Sequence, residues 1–392
     1  MTSNIQNNKY SRPTWIEVSK NDIFYNISLI KKYLYKFNKN TKLIAVVKGN
    51  AYGHTASNVV STIIEAGADM LAIGILEEAI SLRKIGVNCP ILNLGHTTVD
   101  QAALIVEHDI IQNICTLEMA QALSDFAKKQ NKKAKVHIKI DTGLGRLGIF
   151  YDQALQFAEK IYKMPNLVID GIYTHLATAH TGNPEYCIFQ INKFEETIRT
   201  LSEHNLPTGI KHIANSAAML MFPEYHFDAV RCGSLLYGVY GSDKIPRILD
   251  LKPALSLHTK IVFMKKLPKE SYIGYGNSFV TKRESTIGIL PIGHADGLSK
   301  GFANKLEVLV RGKRAPLIDG INMDSCFVDL TDVSGAEIGD DAVIIGKQGE
   351  QEITVLELAQ KLHEDTGEIL VSLGNLRIPH VSVKFSGAVN RG

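Results

Sequence analysis

Nowhere does this chain of 392 residues run apolar for the roughly 18 residues that a membrane-crossing helix needs, so no spanning segment is expected. Met1 to Arg12 is polar and has no apolar h-region, and no secretory signal is expected there. Blocks of like charge are missing too. The 43 Lys and Arg residues are dispersed among 40 Asp and Glu for a net charge of +3, which offers neither nucleic acid nor a membrane surface anything to hold. Five cysteines (Cys89, Cys115, Cys187, Cys232, Cys326) are odd in number and in no CxxC pair, which argues against a disulfide framework and against a zinc site. No metal is expected, and the expected compartment is a reducing cytoplasm. Phosphate loops of the GxxxxGK(S/T) type, GxSxG elbows and HExxH pairs are absent, as are short repeats and low-complexity segments.

What is present is a 45% hydrophobic composition in a chain long enough for more than one domain. Thr14 to Val18 reads as a short strand and Asp22 to Tyr35 as an amphipathic helix. Strand patterns of the buried type then alternate with helical ones. The strands are Leu43 to Lys48, Met70 to Ile73, Pro90 to Leu94, Ile110 to Cys115, Val136 to Ile140, Ile169 to Thr174, Ile210 to Ala214 and Ala229 to Arg231. The fold class is therefore α/β, a (β/α)8 barrel rather than an open doubly wound sheet. From about Leu249 short alternating strands with glycine turns take over, including one long strand at Leu255 to Lys265 and a last one at His380 to Phe385, with one helix at Thr354 to Glu364. A boundary between Ser242 and Leu249 gives a barrel over residues 1–246, whose leader and first strand pack on the other domain, and a mostly β domain over 247–392.

Catalytic side chains of such barrels come from the C-terminal ends of strands. The first barrel strand ends in Lys48 followed by Gly49-Asn50, the mouth of an apolar run where an ammonium is costly unless paired or neutral. A neutral amine there is primed to condense with an aldehyde, while a lysine snorkelling to water is the ordinary alternative. Other strand ends carry Lys139 and Arg146, His175, His212 with Ser216, and Arg231 with Gly233-Ser234. Ser216 and the Gly233-Ser234 backbone are candidate donors to a phosphate; a serine after Asn215 is more commonly a helix N-cap. The GxGxxG match at Gly143 to Gly148 is discounted as a dinucleotide fingerprint, because it follows the fifth strand and Arg146 would crowd a pyrophosphate.

Val46 to His54, Lys139 to Gly148, Thr174-His175, Ala214 to Ala218, Arg231 to Gly233, Gly274 to Gly276 and Gly293 to Gly297 resemble, in content and order, the motifs of alanine racemases. The resemblance covers nearly the whole chain. It implies a cytoplasmic, pyridoxal 5'-phosphate-dependent homodimer that interconverts L- and D-alanine for peptidoglycan, each site joining one subunit's barrel to the other's β-domain. Carried over by residue, it makes Lys48 the cofactor anchor and one catalytic base, and the partner subunit's Tyr275 the other. It gives Tyr52, Ser216, Gly233 and the Ser234 amide to the phosphate, and Arg231 to the pyridine nitrogen. His175 would contact Tyr275 and Arg231, His212 would support Arg231, and Arg146 with the Met323 amide would take the substrate carboxylate. It also implies that Lys139 can be carbamylated.

Three positions depart from the pattern. His294 and Gly367 stand where the family usually has entrance tyrosines, and Asn322 where Cys is common. A broader amino-acid racemase, accepting serine for instance, is thus an alternative. A decarboxylase on a similar scaffold is disfavoured because Arg231 occupies the place of its acid, and a non-catalytic cofactor-carrying barrel because a β-domain with Tyr275 follows.

Overall fold

The computed structural model describes residues 12–374 and 377–383, and Met1 to Ser11 of the polar leader and the expected end of the last strand at Lys384 and Phe385 lie outside them. The chain forms two compact units. One consists of Ile23–Ala51 and Ala56–Leu251; the other of Met1–Asp22, Tyr52–Thr55 and Lys252–Gly392.

Strand β1 (Thr14–Ser19) belongs to the second unit. The first unit is a parallel barrel of β2 (Lys42–Val46), β3 (Met70–Ile73), β4 (Ile91–Asn93), β5 (Ile111–Ile114), β6 (Ala134–Asp141), β8 (Leu167–Tyr173), β9 (Ile210–His212) and β10 (Ala229–Cys232), with β7 (Ile149–Phe150) a spur on β6. The order β10-β2-β3-β4-β5-β6-β8-β9 is nearly closed. Between β9 and β10 the gap is spanned by the amides of Asp228 and Arg231, which donate to Lys211 O (3.0 Å) and Ala214 O (2.8 Å). Helices fill the crossovers and start where short polar side chains can satisfy their first amides. Thr116 caps Leu117–Lys129, and Asn183 caps Pro184–Glu203 with proline at its first turn, where no amide hydrogen is needed.

The barrel lumen departs from an apolar core. His137, Lys139, His212 and Arg231 are all buried. Alternation along each strand puts every second side chain inside, so a single polar residue in a β-branched run goes to the lumen without disturbing the helix-facing side.

In the second unit a ten-stranded sheet runs β12-β15-β18-β17-β16-β19-β11-β1-β21, with β20 on β19. Its strands are β11 (Leu255–Lys260), β12 (Phe263–Leu267), β15 (Ser285–Leu290), β16 (Glu307–Val310), β17 (Lys313–Ile318), β18 (Cys326–Asp329), β19 (Asp341–Gln348), β20 (Gln351–Ile353) and β21 (His380–Val383), and β13 (Tyr272–Ile273) and β14 (Phe279–Val280) form a separate hairpin. Two expectations are corrected. Leu255 to Lys265 is two strands, because after Lys260 the chain leaves β19 and Val262 donates instead to Ile289 O (3.0 Å). A second helix, Thr366–Leu373, follows Val355–Leu362; Asp365 accepts from Gly367 N, and Ile369, Leu370 and Leu373 are buried.

Candidate active site

The chain leaves β2 into an unusual turn. Gly49, Asn50 and Ala51 are left-handed (φ 63°, 54° and 57°), and Tyr52 follows at φ 51°. For L residues that conformation costs roughly 1–2 kcal/mol each, least for asparagine, so the surroundings must hold it. Glu78 does much of this. Its Oε1 accepts from Gly49 N (2.6 Å) and Asn50 N (3.2 Å), and its Oε2 from Gly74 N (2.9 Å). Asn50 Oδ1 accepts from Ala56 N at 2.8 Å. Lys48 stands at the head of this turn, its stem beside Gly74, where an added Cβ would meet Lys48 Cβ at 3.3 Å. Leu43 to Val47 is buried as expected, yet Lys48 itself is exposed.

On the neighbouring strand β10 stands Arg231, a buried cation among neutral partners. Nη1 donates to His212 Nδ1 (2.7 Å) and His212 O (3.0 Å), and Nη2 to Thr174 O (2.8 Å), Ile213 O (3.0 Å) and His175 Nδ1 (3.2 Å). Tyr173 lies under the guanidinium, 5.1 Å from its ring centroid, and stacks on His212 at 4.8 Å. Burial draws the guanidinium down to about 10, which leaves it charged at neutral pH. Burial first, and the Arg231 charge second, hold His175 and His212 well below the usual imidazole range, so both are neutral acceptors. Nε of Arg231 has no hydrogen-bond partner among the described residues, and it is not sealed off with the buried orphans.

Lys139 shares the lumen, its amine 5.4 Å from the Tyr173 ring centroid and pulled down to about 8 by burial, then by Arg146 and Arg231. The Tyr173 hydroxyl is buried without a hydrogen-bond partner among the described residues. Arg146 is exposed on the loop after β6. That loop cannot cradle a pyrophosphate, because Asp141 Oδ1 already accepts the amides of Gly143 (2.9 Å), Leu144 (2.9 Å) and Gly145 (3.1 Å). After β9, the N-cap is Asn215, which accepts from Ala218 N at 2.9 Å; Ser216 does not cap but accepts from Gly233 N at 2.9 Å. Ser234 opens the 3-10 turn Ser234–Tyr237, whose first amides have no acceptor within the turn.

The barrel thus brings together Lys48, Lys139, His175, His212, Ser216, Arg231, Gly233 and Ser234. Tyr52, Tyr275 and Met323 belong to the second unit. Tyr52 packs its ring on Gly367, where an added Cβ would lie 3.4 Å from Tyr52 Cε1. Tyr275 is 87% exposed on the turn between β13 and β14, and Met323 is 60% exposed. His294 lines a cavity of about 210 Å³ with Phe302, Glu364, Glu368 and Ile369. Among the described residues no cluster could hold a metal ion and no helix is long and apolar enough to cross a membrane. Sequence reasoning missed Glu78, Tyr173 and His137. Only the last had a signal, a histidine two positions before Lys139 on the same strand face.

Comparison with known proteins agrees with this layout. Residues 18–241 match the family model "Alanine racemase, N-terminal domain" and residues 254–382 "Alanine racemase, C-terminal domain". Alanine racemase 1 of Caldanaerobacter subterraneus subsp. tengcongensis is 41% identical over 94% of this chain and 95% of its own. Alanine racemase 1 of Clostridium acetobutylicum is 36% identical over 96% and 97%. The crystal structure of alanine racemase from Bacillus anthracis with bound L-Ala-P superposes with a TM-score of 0.89 at 34% identity, covering 97% of each chain. A histidine racemase from Leuconostoc mesenteroides subsp. sake gives 0.84 at 29% identity over 96% and 99%. With both domain models matched in order and relatives aligned over nearly their full lengths, the chain belongs to the alanine racemase family of isomerases.

Proposed function

We propose that the chain is a pyridoxal 5'-phosphate-dependent racemase that interconverts L- and D-alanine and supplies D-alanine for peptidoglycan. The observation that carries the cofactor reading is Arg231, a buried cation whose partners are carbonyls and neutral imidazoles and whose Nε alone has no partner among the described residues. This donor suits a neutral ring nitrogen. Ser216 and the amides opening the turn after Gly233 suit a phosphate, with Tyr52 as a further donor. Pyridoxal 5'-phosphate supplies an aldehyde that condenses with amines and a ring that spreads negative charge from the substrate Cα.

Lys48 anchors the cofactor and exchanges a proton at one face of Cα. The partner subunit's Tyr275 exchanges one at the opposite face, so a proton leaves one side and another arrives on the other. Its exposure on the turn between β13 and β14 supports a role toward a second chain. His175, accepting from Arg231 at Nδ1, keeps Nε2–H to donate to the Tyr275 oxygen. Arg231 keeps its proton, so it would hold a ring nitrogen in the unprotonated form, and such a ring would draw less charge away from Cα. A decarboxylase would need an acid where Arg231 stands. Arg146 and the Met323 amide take the substrate carboxylate.

A broader substrate range is the second reading. It is favoured by Gly367, which leaves the Tyr52 ring uncovered by a side chain, and by the histidine racemase on the same fold.

Borohydride treatment of purified protein is expected to bleach the cofactor band and place the reduced adduct on Lys48; Lys48→Ala is expected to lose adduct and racemisation together. Retained turnover in Lys48→Ala, or a cofactor-loaded wild type that interconverts no amino acid, would overturn the proposal.

A further inference from the structure

The Arg231 network continues beyond His212. His212 Nε2 lies 2.9 Å from His137 Nδ1, and His137 Nε2 lies 3.4 Å from Asp170 Oδ2. A donor-only group at one end and an acceptor-only group at the other fix the direction of every hydrogen. Guanidinium only donates, so His212 Nδ1 accepts and its proton sits on Nε2. His212 then donates to His137 Nδ1, and His137 donates from Nε2 to the Asp170 carboxylate. Both rings are 0% exposed. Burial keeps His137 uncharged against the opposing pull of Asp170. The hydrogen bond from His137, with Lys135 and Lys42 nearby, keeps the Asp170 carboxyl below its usual range and ionised.

The backbone makes three local adjustments around this pair. Val136 faces Ile169 while His137 faces Gly171, so Asp170 is the extra residue of a β-bulge, the device by which a strand re-aims one side chain. Gly171 leaves room for the imidazole, since a Cβ there would lie 2.7 Å from His137 Cε1 and 2.8 Å from Nε2. Gly209, at φ 61°, abuts the Asp170 carbonyl, where a Cβ would collide. A bulge and two glycines converge on one carboxylate–imidazole contact.

We propose that Asp170 and His137 are positioning residues of the racemase site: the carboxylate sets the tautomer of His137, and through it that of His212, so that His212 always offers a lone pair to Arg231. The proposal rests on the reading that Arg231 faces the cofactor ring. A carboxylate holding an imidazole in one tautomer is a known way to keep the next group aligned. Were His212 protonated on Nδ1, two donors would face each other at 2.7 Å and the guanidinium would turn away.

The test uses 15N-histidine-labelled holoenzyme, with His212 assigned by the signals lost in His212→Gln. In the wild type, His212 Nε2 is expected to carry the proton. Asp170→Ala, at a side chain 32% exposed, should populate the other tautomer and lower kcat at least about tenfold with KM within about twofold. Asp170→Asn, whose amide oxygen can still accept from His137, should restore the tautomer and bring kcat within about threefold of wild type. A wild-type proton on Nδ1, or an unchanged tautomer and kcat in Asp170→Ala, overturns the proposal; if that variant fails to fold, His137→Leu decides on the same two readouts. The tautomer is readable with or without cofactor. A wild-type protein that takes up no pyridoxal 5'-phosphate therefore overturns the cofactor reading without touching this measurement.

Discussion

Lys139 is the side chain least at ease with its charge, 3% exposed, near two arginines and with its amine drawn down to about 8. Because the folded state binds this proton less readily than the unfolded chain, wild type should lose stability relative to Lys139→Met as pH falls from about 10.5 to 8. The gap should stay constant below that, at most on the order of 3 kcal/mol. Denaturant titrations of the two proteins in carbon dioxide-free buffer check this, and parallel pH curves would refute it. Bicarbonate should narrow the gap if the amine is carbamylated, since an anion between Arg146 and Arg231 removes the penalty. At this scale Arg231 and His175 were legible, because a cation or an imidazole closing a β-branched run has few structural reasons to be there. Tyr173 was not, and His137 only through its spacing from Lys139. Inside a strand, a lone aromatic or polar residue reads like any other, and only closure of the barrel shows which face it takes.

Among the elements, the left-handed turn after β2 depends most on outside support. Glu78→Ala removes the acceptor of the Gly49 and Gly74 amides, an expected loss of about 1–3 kcal/mol in folding stability. The freed turn should also lower kcat more than it raises KM, as steady-state kinetics can show. Gly367 opens the helix Thr366–Leu373 against Tyr52. Gly367→Tyr is expected to lower kcat/KM for serine relative to alanine by about tenfold, a discrimination of ~1–3 kcal/mol for a small group. An unmoved ratio would take Gly367 out of the specificity argument. Barrel strands were readable from short β-branched runs that stop at glycine or polar residues. The turn was not, since nothing in Asn50-Ala51-Tyr52 beyond the asparagine announces positive φ. The helix at Thr366 escaped because its glycine and short apolar run look like a loop beside a strand.

For the whole molecule, the proposed use of Tyr275 by a neighbouring barrel makes a sharp prediction. Mixing inactive Lys48→Ala with Tyr275→Phe should regenerate roughly a quarter of wild-type activity after subunit exchange, since half of randomly mixed dimers are hybrid and each has one intact site. No recovery after verified exchange would place both bases in one chain. The change of texture near Leu249 was visible because helical periodicity gives way to alternation. What no local pattern shows is that one unit is assembled from separate stretches of chain. Tyr52–Thr55 belongs with Lys252–Gly392: Gly53 packs on Leu370 and Gly374, and His380 Nε2 donates to Gly53 O at 2.9 Å. The two halves are therefore not interchangeable cassettes. A chimera spliced once near Leu251 would inherit the Gly53 seat from one parent and the surface it fits from the other, so recombination between relatives should succeed only where both stretches travel together.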